Sequence, residues 1–162
     1  MGVSTDGQLS FGILFEENYF FPWDKHRLGE YSSGQGDIEE YWKKVNGFVN
    51  PAEDPFDEKG NYKTGFSSDH PGTKEWYSNE HDWRLNNPIP IEIVNYCSDD
   101  CPMIILATKH ISCGRGYPTV IDLDFLNINI EEERKKLFDF LSICGIETTE
   151  KAKWYLSSYI DQ

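Results

Sequence analysis

A chain of 162 residues is long enough to bury a real core as one domain without staples. Its 38% hydrophobic and 27% charged residues exclude a disordered chain, and no apolar run approaches the ~18–20 residues of a membrane span. The formal charge is −13, from 28 acidic against 15 basic residues. Such a chain is repelled by phosphate, so direct nucleic-acid binding is disfavoured.

The first predicted element is a strand over Gln8 to Phe15, whose near-continuous apolarity after Gly12 implies burial on both faces. Pro22, Gly29, Gly34 and Gly36 then punctuate an irregular loop. Asp37 opens a short helix with Glu40 three residues on, and Ile38, Tyr41, Trp42 and Val45 form its apolar stripe before Gly47 stops it. From Asn50 to Asn87 strong periodicity is missing. A structureless loop of that length would be unusual in a compact domain, so a helix is expected over Gly72 to Leu85, with Trp76 and Trp83 on one face.

After Pro88 the pattern changes. Pro90 to Cys97 alternates as a strand, Ser98, Asp99, Asp100 and Pro102 form a turn, and Met103 to Ile111 makes a second strand. Thr119 to Ile130 starts as a third, with Val120, Asp122 and Asp124 opposite Ile121, Leu123 and Phe125. Glu131 to Ile143 is the clearest helix, acids first, with Leu137, Phe138 and Leu141 as its stripe and Gly145 as terminator. The tail around Trp154 to Tyr159 is expected to close the sheet as a strand. The resulting fold class is α+β: one domain over 1–162, a mixed, mostly antiparallel sheet of four or five strands, a C-terminal helix, and a long helix-containing insert at 22–87.

Candidate chemistry is sparse. Cys97, Cys101, His110 and Cys113 have a zinc-like look, but a strand from Met103 to His110 holds its ends roughly 23 Å apart, too far for four ligands around one ion. Reduced thiols are expected there, and Cys144 is expected to be a small buried apolar residue. Asp69-His70 and Glu80-His81 are carboxylate–imidazole neighbours that surface polarity accounts for, because adjacent residues point apart. The insert's acids lack calcium-loop spacing, and the glycines of Cys113 to Gly116 fit a tight turn. No nucleophile elbow, phosphate loop or dinucleotide fingerprint is present, so no catalytic residue, metal or cofactor is expected.

The opening MGVSTDGQLSFG, NPIPIEIVNYCS at 87–98, RGYP at 115–118 and KWYLSSY near the end together resemble a family of small acidic proteins of tailed bacteriophages. The resemblance spans nearly the whole chain and carries no site residues with it. It implies an accessory phage protein working in the host cell cytoplasm. Residues 1–82 hold 16 acidic and 7 basic residues, a net of −9, and aromatics lie close to those acids. The expectation is therefore a protein that binds and inhibits a host or defence protein with a basic surface, such as a CRISPR effector. The contact candidates are Phe20, Phe21, Trp23, Asp37, Glu39, Glu40, Tyr41, Trp42, Glu53, Asp54, Asp57 and Glu58. Two alternatives are a small-molecule or nucleotide enzyme using Asp6, Asp69, His70 and His81, and a virion or assembly component.

Overall fold

The computed structural model describes residues 4–16, 19–24, 35–98 and 101–161. The loop expected at 25–34 and the turn residues Asp99 and Asp100 lie outside that set. The elements are β1 (Ser4–Phe15), α1 (Gln35–Val45), α2 (Pro71–Asn86), β2 (Glu92–Ser98), β3 (Cys101–Cys113), α3 (Leu123–Leu126), α4 (Ile130–Ile143) and β4 (Lys153–Asp161). They fall into two compact units, one of residues 1–42 with 89–162, the other of residues 43–88.

The first unit holds the whole sheet. β1 lies between β4 and β3, antiparallel to both, and β3 pairs antiparallel with β2. β2 and β4 meet in parallel only at Cys97–Tyr159 and Ser98–Ile160, and this short seam closes the sheet on itself. At the seam Cys97 takes a left-handed φ of 81°, strained for a residue with a side chain. The fold is thus α+β with one mixed, mostly antiparallel four-stranded sheet.

Alternation along the strands sorts side chains onto two faces. On one face Val94, Ile105 and Ala107 form a buried cluster against which Leu14, Tyr96 and Tyr155 pack. Ile13, Phe15 and Leu106 are buried elsewhere, as are Leu137, Phe140 and Leu141 of α4, the helix that β3 contacts. Burial on both sides of β1 is what its apolar run demanded. Gly12 is required by close approach: a Cβ there would fall on the Leu106 carbonyl oxygen and the Ala107 Cα, where the β1–β3 register slips.

α4 begins with Asn129, whose side chain accepts from the Glu132 amide, and carries Glu131 to Glu133 in its first turn, at the positive end of its dipole. It stops at Gly145, which takes φ 68°. The strand expected from Thr119 does not form. Asp122 instead caps the short helix α3 by accepting from the Asp124 amide, so local side-chain bonding overrides the two-residue alternation. Val120 is left 90% exposed, and Phe125 alone of the expected alternating set is half-buried, its ring tilted against Trp154 at 5.9 Å.

In the second unit, α2 is capped by His70, whose Nδ1 accepts from the Gly72 amide while its ring lies against Phe66. Asn50 anchors the preceding loop by donating to the Trp76 carbonyl. Phe56, Tyr62, Trp76 and Tyr77 pack edge to face and face to face. Lys43 and Glu80 form a buried ion pair at 2.7 Å.

Candidate protein-binding site

The expected contact residues divide sharply. After β1 the chain turns at Tyr19, whose amide donates to the Glu16 carbonyl, and again at Phe21, whose amide donates to the Asp24 carboxylate. These turns fold Phe21 and Trp23 inward, to 4% and 2% exposure, while Phe20 projects outward at 65%. An aromatic ladder follows from Phe15 through Phe21 and Trp23 to Phe140, which also takes Trp42, itself 6% exposed. Phe21, Trp23 and Trp42 are therefore core residues and offer no contact surface. Tyr41 is half-buried and its hydroxyl donates to the Cys144 carbonyl. Glu39 and Glu40 are exposed on α1, and the side chain of Asp37 lies outside the described set.

Glu53, Asp54, Asp57 and Glu58 are all exposed, in the second unit. Two of them brace their own loop. Asp54 accepts from the Phe56 amide, and Asp57 accepts from the amides of Asn61 and Lys59, hydrogen bonds that hold its carboxyl below the usual range.

Charge is distributed differently from the sequence halves. The first unit has 20 acidic and 9 basic residues, a net of −11, and the second has 8 and 6, a net of −2. Most of the net acidity belongs to the sheet-bearing unit, and three of its carboxylates line a cavity. Leu14 to Glu16, Tyr19 and the strap of residues 147–150 line a volume of ≈ 620 Å³. A second recess of ≈ 390 Å³ shares Glu147 and Thr148 and is floored by Leu141 and Ile146, with Phe138 beside them. The strap is shaped by the Glu150 amide donating to the Thr148 hydroxyl.

Three carboxylates rim the larger cavity. Glu150 has a cation at 4.0 Å, Lys153, whereas among the described residues Glu16 and Glu147 carry no ion pair. Tyr19 packs on Phe15 and Phe21, with ring centroids 4.7 and 4.9 Å away. Burial first, then the charge of Glu147, pushes its hydroxyl above the usual tyrosine value. The arrangement is a concave aromatic wall inside a negative rim, suited to a cation.

Other groups with catalytic residue types do not converge. Ser10 Oγ lies 3.0 Å from His110 Nδ1, but Ser10 is 0% exposed, so no substrate reaches that hydroxyl. Burial holds the His110 imidazole below its ordinary value, against a smaller opposite pull from Glu92. His70 has spent Nδ1 on the helix cap, and His81 lies roughly 16 Å further along α2. Asp69 is exposed, 3.8 Å from Lys74. Asp6 is in the first unit. Cys97 pairs across the hairpin with Pro102, His110 with Ser10 and Cys113 with Gly7, so the zinc-like set is strung along β2 and β3. Among the described residues no three His, Cys, Asp or Glu side chains are placed to hold a metal ion. Nor is any helix among them long and apolar enough to cross a membrane.

A scan against models of known families, a search of curated proteins and a search of solved structures return no match.

Sequence reasoning missed Glu16, Tyr19, Glu147, Thr148, Thr149 and Glu150. The local signal was the acid-Thr-Thr-acid run just after the Gly145 stop, which by itself marks only a loop. Its pairing with the end of β1 is a product of tertiary folding.

Proposed function

We propose that this chain is a non-enzymatic binding protein that docks on a basic surface of a host or defence protein and blocks it. In the setting the sequence resemblance implies, it is a phage accessory protein acting in the host cytoplasm. The partner is a protein that itself handles nucleic acid, a CRISPR effector being one example, because a surface built for phosphate is the one that a dense acidic face competes for. The observation that carries this reading is the net −11 of the sheet-bearing unit, gathered in part around an open, aromatic-walled cavity. Acids speed encounter, and a few aromatic anchors supply most of the affinity. Phe20, Glu39 and Glu40 remain as exposed contacts in that unit. Glu53 and Glu58 are exposed in the other.

The test is affinity capture from infected host cells with the tagged full-length chain, repeated as salt is raised. A partner whose retention falls steeply with salt supports the reading. No partner, or one indifferent to salt, removes it.

A further inference from the structure

We propose that the cavity between the end of β1 and the 147–150 strap is an arginine pocket. It receives a guanidinium side chain from the basic partner, stacked on Tyr19 and paired with Glu147 and Glu16. This inference rests on the protein-binding reading and names the chemistry by which that partner is held.

Four properties of the cavity select this occupant. Its volume, ≈ 620 Å³, falls in the range of clefts that take small organic groups, and it is open to solvent, as a site for a side chain presented by a partner must be. Its rim is negative and under-neutralised: Glu16 and Glu147 have no ion pair among the described residues, and Lys153 reaches only Glu150, at 4.0 Å. Its wall is aromatic, with Tyr19 held in place by Phe15 and Phe21, so a cation entering it meets the face or edge of a fixed ring. Its acceptors come from two segments of the chain, Glu16 at the end of β1 and Glu147, Thr148 and Glu150 on the strap.

That last property separates arginine from lysine. A guanidinium is planar, carries five donors in a fixed fork and stacks on rings, so it can pair with acceptors from both segments while lying against Tyr19. An ammonium is a compact, strongly hydrated point charge that satisfies one carboxylate at a time. Phosphate-bearing ligands are repelled by the same rim. The neighbouring recess, with Phe138 at its edge, gives room for the apolar side chain next to the arginine in the partner's sequence.

The probe is the blocked peptide Ac-(Gly-Arg)3-NH2, with its lysine and glutamate counterparts, titrated into the full-length isotope-labelled chain and followed by amide NMR. The arginine peptide is expected to shift Tyr19, Thr148 and Thr149 saturably, the lysine peptide to bind about threefold more weakly, and the glutamate peptide to shift nothing. Glu147→Gln is expected to weaken the arginine peptide about fivefold, and Tyr19→Leu by a similar factor, while Glu58→Gln in the other unit leaves it unchanged. Glu147 is exposed on the strap, so its variant carries the test even where Tyr19→Leu disturbs folding. Shifts scattered over the acids of both units, equal binding of the lysine peptide, or wild-type affinity in Glu147→Gln would overturn the pocket. If a captured protein partner is retained equally by Glu147→Gln, the pocket falls and the protein-binding reading stands. If the arginine peptide behaves as expected but no basic protein is captured, the pocket stands and the broader reading falls.

Discussion

Replacing Lys43 by methionine removes one half of an ion pair that is nearly closed to water. The Lys43 and Glu80 side chains are 7% and 9% exposed, with Nζ and Oε1 at 2.7 Å. Breaking a buried pair from one side costs about 3–5 kcal/mol, because the remaining charge keeps its desolvation penalty. Arg84 returns part of that, standing 3.6 Å from the other oxygen of Glu80, but it is half-exposed and one helical turn away. The net expectation for Lys43→Met is a loss of about 2–3 kcal/mol. Glu80→Leu leaves the ammonium buried and is expected to cost about 3 kcal/mol. The double variant Lys43→Met/Glu80→Leu replaces the pair by apolar groups of similar bulk and should lie within about 1 kcal/mol of the parent. Urea unfolding followed by tryptophan fluorescence and far-ultraviolet dichroism measures all three. A coupling below about 0.5 kcal/mol, or a double variant as unstable as the sum of the singles, would refute the reasoning.

Further outcomes follow from the first unit. Gly12→Ala drives a methyl group into the Leu106 carbonyl and the β1–β3 ladder, and should cost about 3 kcal/mol in urea unfolding, whereas an unchanged midpoint would mean the strands separate freely there. Burial lowers the His110 imidazole, so its contribution is fully present above the unfolded value near 6.5 and is lost as pH falls through that value toward the folded one. His110→Gln should flatten the difference in stability between about pH 7 and pH 5, and an unaltered slope would show that His110 titrates as in the unfolded chain. Burial pushes the Cys144 thiol up to about 12 from its ordinary 9.0. Its stabilising share is therefore present below about pH 9 and is lost as pH rises toward the folded value. Thiol labelling near pH 8 should modify exposed Cys97 and spare Cys144 until the chain unfolds, and early labelling of Cys144 would contradict its burial.

How far the fold could be read depended on whether the deciding interactions were local. α4 was legible because its acids, stripe and Gly145 stop lie within one segment, and α2 because Trp76 and Trp83 share a face. The strands of the β2–β3 hairpin were legible from their turn and alternation. Thr119 to Asp124 was not, since a two-residue alternation and an aspartate cap compete on equal terms until burial decides, and Val120 and Leu123 find no cover. The site was less legible than the fold. Phe20, Phe21 and Trp23 look alike as a sequence, yet the turns closed at Tyr19 and at Asp24 bury two of them and leave the first outside. The acidity of residues 1–82 pointed to the insert, but the units exchange that charge differently because residues 89–162 fold with 1–42. Glu147 and Glu150 meet Glu16 and Tyr19 only through the β1–β4 pairing, which no local pattern announces.

The most direct test of the account compares capture of the basic partner from infected cells by the parent chain and by the triple variant Glu16→Gln/Glu147→Gln/Glu150→Gln. All three side chains are exposed, so the variant should fold as the parent does. The expected result is a partner held by the parent, released as salt rises, and lost or weakened at least tenfold with the triple variant, about 1.4 kcal/mol. Equal capture by both chains, or capture by neither, would contradict it.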